Sequence, residues 1–270
     1  MPDTRILPTR HALRKRTPPH SHHFGQAPSR DQHSSPVHPH AAPTPAPLPQ
    51  LRQFYDALFR AYGPQHWWPG RTRFEVIVGA ILTQSTSWSN VEQAIVQLRR
   101  EKLLSPAGIE KVFLARLSTL IRSSGYFRQK ARKLKAFVDF LRQHYQGSLD
   151  KMFATPTSQL RDELLAVHGI GPETADSILL YAGNHSVFVV DAYTRRILER
   201  HNLAHAKLSY EQIRQLFEHN LPPSPPLFNE FHALIVHTGK NFCRKRNPKC
   251  EQCALRPFLP ALPEQQESRT

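Results

Sequence analysis

The stretch at residues 164–191, LLAVHGIGPETADSILLYAGNHSVFVVD, constrains this chain more tightly than any other. A helical run carrying Leu160, Leu164, Leu165 and Val167 stops at His168-Gly169-Ile170-Gly171. A second helix is predicted to start at Pro172, whose fixed φ and missing N–H suit a first helical position. Two short helices joined by Gly-Ile-Gly form a hairpin. Its glycines accept positive φ and leave the backbone bare, so that N–H groups near a helix N-terminus can meet an anion. A nucleic-acid phosphate is the natural ligand, and such a contact ignores base sequence. Taken alone, a G-x-G reads as an ordinary helix-turn-helix corner with a glycine cap. The spacing downstream changes that reading. An apolar, β-branched run of Val187, Phe188, Val189 and Val190 ends at Asp191, which opens a further helix with Ala192-Tyr193-Thr194-Arg195-Arg196. An acid at the end of an extended apolar segment, directly before a basic helix, is placed for use.

A polyanionic partner also follows from charge. The chain carries a formal net charge of +15 with a pI near 10.2, and clustered Lys and Arg gain from displacing counterions on a phosphate backbone. Most of that charge lies beyond the first fifty residues. Those fifty hold eleven of the 24 prolines and seven of the 16 histidines with almost no large apolar side chains, so a disordered basic tail is expected over 1–49. A folded domain over 50–262 and a flexible C-terminus over 263–270 complete the expected organisation. No apolar stretch reaches membrane-span length and the N-terminus lacks an apolar signal core, which points to a cytoplasmic, nucleoid-associated protein. All three cysteines fall between positions 243 and 253, a spacing unlike a disulfide framework.

The folded part reads as helix throughout. Leu51, Phe54, Tyr55, Leu58, Phe59 and Tyr62 recur with the period of an amphipathic helix that Gly63-Pro64 ends. Further helices are predicted near 73–84, 89–100, 128–145, 192–201, 209–219 and 227–241, with shorter pieces over 106–123. No β-alternation of any length is present, so the fold class is all-α. The basic helix with Arg128, Lys130, Arg132, Lys133 and Lys135 reads either as a solvated face or as a phosphate-contacting surface.

The motif L-x-x-V-H-G-I-G-x-E-T-A-D followed by V-V-D-A-Y-T resembles the helix-hairpin-helix Gly/Pro/Asp DNA glycosylases, the endonuclease III superfamily, and most of all their 3-methyladenine DNA glycosylase branch. The resemblance spans roughly residues 51–260 and implies two helical subdomains with the active-site cleft between them. It also implies a monomer acting on double-stranded DNA that holds a damaged base. Excision requires the nucleotide to be flipped out of the stack. By resemblance Gln84, in the Thr83-Gln84-Ser85-Thr86 turn, matches the wedge that fills the hole, and His168, Gly169, Ile170, Gly171 and Thr174 form the phosphate grip. Asp191 is the catalytic carboxylate, stabilising positive charge on the sugar or directing water to C1′. It can equally be a helix N-cap, and the two roles are compatible.

Members that also nick DNA carry a Lys where this chain has Glu173, because an amine is needed for a Schiff base. The resemblance therefore implies a monofunctional, hydrolytic glycosylase, with Glu173 itself read as a first-turn acid complementing the helix dipole. Trp67, Trp68 and Trp88, all the tryptophans of the chain, lie in two loops expected to flank the flipped base, and Lys240 is a further pocket candidate from the late helix. An aromatic slot suits a cationic alkylated base, although each Trp also reads as a core residue. The alternatives are an endonuclease III-like glycosylase for oxidised pyrimidines and a non-catalytic DNA-binding module. Cys243, Cys250 and Cys253 copy three ligands of the family's [4Fe–4S] loop, while the fourth position is Leu259. A cluster with a non-protein fourth ligand, zinc completed by His237, and an empty loop remain open, and none is required for the chemistry.

Overall fold

The computed structural model describes residues 48–67 and 70–260. Nearly all of the predicted tail, Trp68, and the predicted C-terminal extension lie outside the described residues, which contain no β-strand. The described residues belong to one compact unit. Within it the helices fall into two groups.

The first group is built around α2 (Arg73–Leu82), which buries every residue from Phe74 to Leu82, all apolar but Glu75, whose carboxylate pairs with Arg99 at 2.6 Å. Thr72 starts it by accepting the Glu75 N–H. Against α2 and its neighbours pack α3 (Trp88–Arg100), α4 (Pro106–Lys111), α5 (Leu114–Leu120), α6 (Phe127–Tyr145) and α7 (Leu149–Phe153). The hairpin helices α8 (Thr157–Ala166) and α9 (Pro172–Ser177) close this group, and α9 runs on into a π-helical turn over Ile178–Ala182. The second group consists of α1 (Pro49–Tyr62), α10 (Ala192–Arg200), α11 (Tyr210–Asn220) and α12 (Pro225–Asn241). Its α1 buries Leu51, Phe54 and Leu58 and stops at Gly63, whose φ of 67° and N–H to Phe59 form the expected break.

The helices match the periodicity, apart from α7 and the π turn, which no local pattern signals. Val187 to Val190 are fully buried extended chain without strand pairing. The basic helix α6 differs from both of its predicted readings at one position. Lys130 is buried, and its ammonium donates to the carbonyls of Leu82 at 2.8 Å and Ser124 at 2.5 Å, capping the C-terminal end of α2. Burial, aided by the nearby Lys133 charge, lowers its pKa to about 8.

Candidate active site

The hairpin turn owes its shape to Gly169 more than to Gly171. Gly169 has φ of 81°, and a Cβ there would stand 2.5 Å from the Lys133 side chain. Gly171 has an ordinary extended backbone with φ of −98° and ψ of 179°, so the expectation of positive φ fails there. Its use is open space, since a Cβ would meet nothing within 4 Å. His168 is exposed, whereas Ile170 is buried and spends its N–H on Val167, so Ile170 anchors the turn instead of facing solvent. Pro172 opens α9 as predicted. A bidentate pair between Arg161 and the fully buried Asp176, at 2.6 and 3.1 Å, locks α8 to α9, and Arg161 also reaches Glu211 on α11.

Gln84 stands between α2 and the hairpin. Its amide donates to Gly169 O at 3.2 Å and to the buried Thr174 hydroxyl at 3.0 Å, while its carbonyl accepts from Lys133. Lys133 thus braces both the turn and Gln84, which gives the basic helix a positioning task on this side.

A cavity of about 650 Å³ opens beside Gln84, between the two helix groups. The first group contributes Gln84, Trp88, Glu173 and Tyr181, and the second Asp191, Tyr193, His232 and Lys240. Asp191 is the N-cap of α10. One oxygen accepts both the Thr194 N–H at 2.7 Å and the Thr194 hydroxyl at 2.9 Å, which fixes the carboxylate plane. The other oxygen lies 3.7 Å from Nε2 of His232. Glu173 shares the cavity, and burial together with the Asp191 charge pushes its carboxyl up to about 7. It is also the first-turn acid of α9, as expected.

Trp67 lines the cavity, with the Lys240 ammonium 5.6 Å from its ring centroid. Trp88 lines it too but is the first residue of α3, partly packed on the core, instead of a loop residue. Tyr193, Tyr181 and His232 line the same space and went unrecognised in the sequence. Only the D-A-Y-T spacing hinted at Tyr193. Its ring is admitted by Gly239, where a Cβ would stand 2.3 Å from it.

The three cysteines converge with His201, Arg200 and Leu259 on one small cavity. Burial, then the neighbouring Cys243 and Cys250, raises the Cys253 thiol, and Arg200 donates to the Cys243 sulfur at 3.0 Å. Among the described residues no three His, Cys, Asp or Glu side chains are arranged to hold a metal ion. His237 packs on Tyr62, ring centroids 4.6 Å apart and planes tilted by 38°, and does not line the cysteine cavity. The three cysteines share the cavity with Leu259, an apolar side chain that supplies no fourth thiolate, so as they stand these residues do not form a complete [4Fe–4S] ligand set.

Among the described residues no helix is long and apolar enough to cross a membrane. The profile of the HhH-GPD superfamily base excision DNA repair proteins matches residues 78–223. Over 210 residues, 77% of this chain and 94% of the relative, the sequence is 46% identical to the "Putative DNA repair glycosylase" of Methanocaldococcus jannaschii. It is 29% identical to endonuclease III of Sulfolobus acidocaldarius, covering 70% of this chain and 83% of that one. Among solved structures, a 3-methyladenine DNA glycosylase of H. pylori bound to 1,N6-ethenoadenine superposes with a TM-score of 0.61 at 26% identity, covering 71% of this chain and 95% of that one. With the profile covering more than half of the chain and a DNA repair glycosylase relative 46% identical over most of its length, the chain belongs to the HhH-GPD superfamily of base excision DNA repair proteins as a DNA glycosylase.

Proposed function

We propose that the chain is a monofunctional glycosylase that hydrolyses the N-glycosidic bond of an alkylated base of the 3-methyladenine type and leaves an intact abasic strand. The observation that carries this reading is the pairing of Asp191 and Glu173 in one cavity, with no amine at the hairpin position. Bond breaking builds positive charge on the sugar, and a carboxylate whose orientation is fixed by Thr194 stabilises it without reorganisation. Glu173, with a carboxyl titrating near 7, is partly protonated at neutral pH and can lend a hydrogen bond to the departing base. Glu173 at the hairpin position cannot form a Schiff base, which supports water as the nucleophile that completes the reaction.

Trp67, Trp88, Tyr181 and Tyr193 give the cavity aromatic walls, which supports an extruded purine, and the ethenoadenine held by the H. pylori relative is in keeping with that. One observation favours the alternative of a neutral, carbonyl-bearing pyrimidine. Lys240 already stands over Trp67, so a cationic base gains that ring face only by displacing an ammonium. A panel of duplexes tests both readings under single-turnover conditions. Release of 3-methyladenine should exceed release of thymine glycol, the product strand should stay unbroken until alkali is added, and borohydride should trap no adduct. Equal or greater activity on thymine glycol refutes the alkylbase assignment, and a trapped adduct refutes the hydrolytic one.

A further inference from the structure

His232 lies on α12, outside the hairpin and Asp motifs, and is only 5% exposed. Its Nδ1 is 2.5 Å from the Tyr181 hydroxyl. Its Nε2 is buried, makes no hydrogen bond and points at the Asp191 oxygen that Thr194 leaves unoccupied, 3.7 Å away. A buried ring nitrogen without a partner calls for an explanation. Here it faces a carboxylate in the reaction cavity.

We propose that His232 is a positioning residue for excision, held by Tyr181 as the Nε2–H tautomer so that this N–H orients the second carboxylate oxygen of Asp191. The tautomer follows from the partners on either side. Burial and the Asp191 and Glu173 charges hold the Tyr181 phenol well above its ordinary pKa, so it keeps its proton and donates it to Nδ1 of His232, which accepts. Burial keeps the ring neutral, against the pull of Asp191, and a neutral ring that accepts at Nδ1 carries its proton at Nε2. The opposite tautomer would set a lone pair against the carboxylate. At 3.7 Å the contact is longer than a hydrogen bond, and contacts of this kind in unliganded sites tighten when substrate is bound. Tyr181, His232 and Asp191 then form one line from the pocket wall to the carboxylate. The line begins on Tyr181 because the π turn at Ile178–Ala182 carries this residue into the cavity.

The inference rests on the proposed role of Asp191, and the test separates the two. Imidazole 15N NMR of the full chain should report Nε2–H for His232 in the wild type and a mixed or reversed tautomer in Tyr181→Phe. His232→Leu should lower single-turnover excision ~10²-fold, the scale of a misplaced reacting group, with binding to an abasic-site analogue unchanged. His232→Gln, whose amide nitrogen reaches the Nε2 position, should recover more rate than His232→Asn, whose amide mimics Nδ1. An Nδ1–H tautomer in the wild type overturns the proposal, as does wild-type excision by a folded His232→Leu. If His232→Leu does not fold, the tautomer in the wild type and in Tyr181→Phe decides. Wild-type excision by Asp191→Asn would instead remove the underlying reading of Asp191, while the NMR result still reports on the His232 geometry.

Discussion

Two stretches of this chain carry family spacing, the hairpin leading to Asp191 and the loop with Cys243, Cys250 and Cys253, and they differ in how each motif position is used. In the first, Gly169 admits Lys133, Pro172 opens α9, Thr174 accepts from Gln84, and Asp191 caps α10 while facing the cavity. Each of these four positions has a local task that would hold it in place even without DNA. In the second, the three sulfurs share a cavity with Leu259, and the position that would complete a four-thiolate set is apolar. Spacing becomes chemistry where local structure supports it, and the two regions can be separated by substitutions that act on one and not on the other.

The largest effect is expected at Asp191. Asp191→Asn keeps an oxygen for the Thr194 N–H and hydroxyl, so α10 keeps its cap, but it removes the negative charge that the transition state uses. Excision should fall by ~10²–10³-fold, the scale for losing one preorganised electrostatic group. Affinity for an abasic-site analogue, carried by phosphate contacts, should stay within about twofold. Single-turnover kinetics and a binding titration on the same preparation check both, and an unchanged rate would detach Asp191 from the chemistry.

Much of this first region was legible because its signals are local. Turn residues, the Pro at the start of α9 and the D-x-x-T cap act over three or four positions, and the apolar periodicity of α1, α2 and α12 follows from each helix burying one face. What was missed depends on contacts distant in sequence. Tyr181 and His232 meet across 51 positions, and a π turn aims the tyrosine. Glu173 looked like a helix-dipole acid until Asp191, on another helix, proved to share its cavity. Lys130 did leave a trace, since it falls on the apolar stripe of α6 at i, i+4, i+7 and i+11 with Leu134, Phe137 and Leu141. A lysine on such a stripe predicts a carbonyl partner in the core, here Leu82 and Ser124. The surrounding cations Arg128, Arg132, Lys133 and Lys135 obscure that trace.

A smaller effect should come from Glu173, and its sign depends on pH. Its carboxyl titrates near 7 in the folded chain against an ordinary value near 4.5, because burial and the Asp191 charge disfavour the ionised form. Between those two values the folded chain holds more protons than the unfolded chain, so stability falls as pH rises through that window. Glu173→Gln removes the liability. Thermal melts should give the variant a higher Tm than the wild type at pH 8, and the gap should close as pH is lowered toward 5. A gap that widens on acidification would mean that Glu173 gains more from its surroundings as a carboxylate than as an acid.

The smallest catalytic effect is expected at Leu259, and that is its value in comparing the two regions. The cysteine cavity is lined by residues from α10 and the C-terminal loop, none of which lines the cavity that holds Asp191. No step of the proposed hydrolysis runs through it. An anaerobically prepared wild-type chain should carry well under four irons, because one corner of the site is hydrocarbon where a thiolate is needed. Leu259→Cys supplies that thiolate and should raise the iron content, with the absorbance of a cluster appearing in step. Single-turnover excision should stay within about twofold of the wild type, as expected for a substitution with no shared partners at the reacting carboxylate. Raised iron with unchanged excision separates the loop from the chemistry, whereas a stoichiometric cluster in the natural sequence would show that three thiolates suffice and that the apolar corner at Leu259 is closed by a ligand the chain does not itself provide.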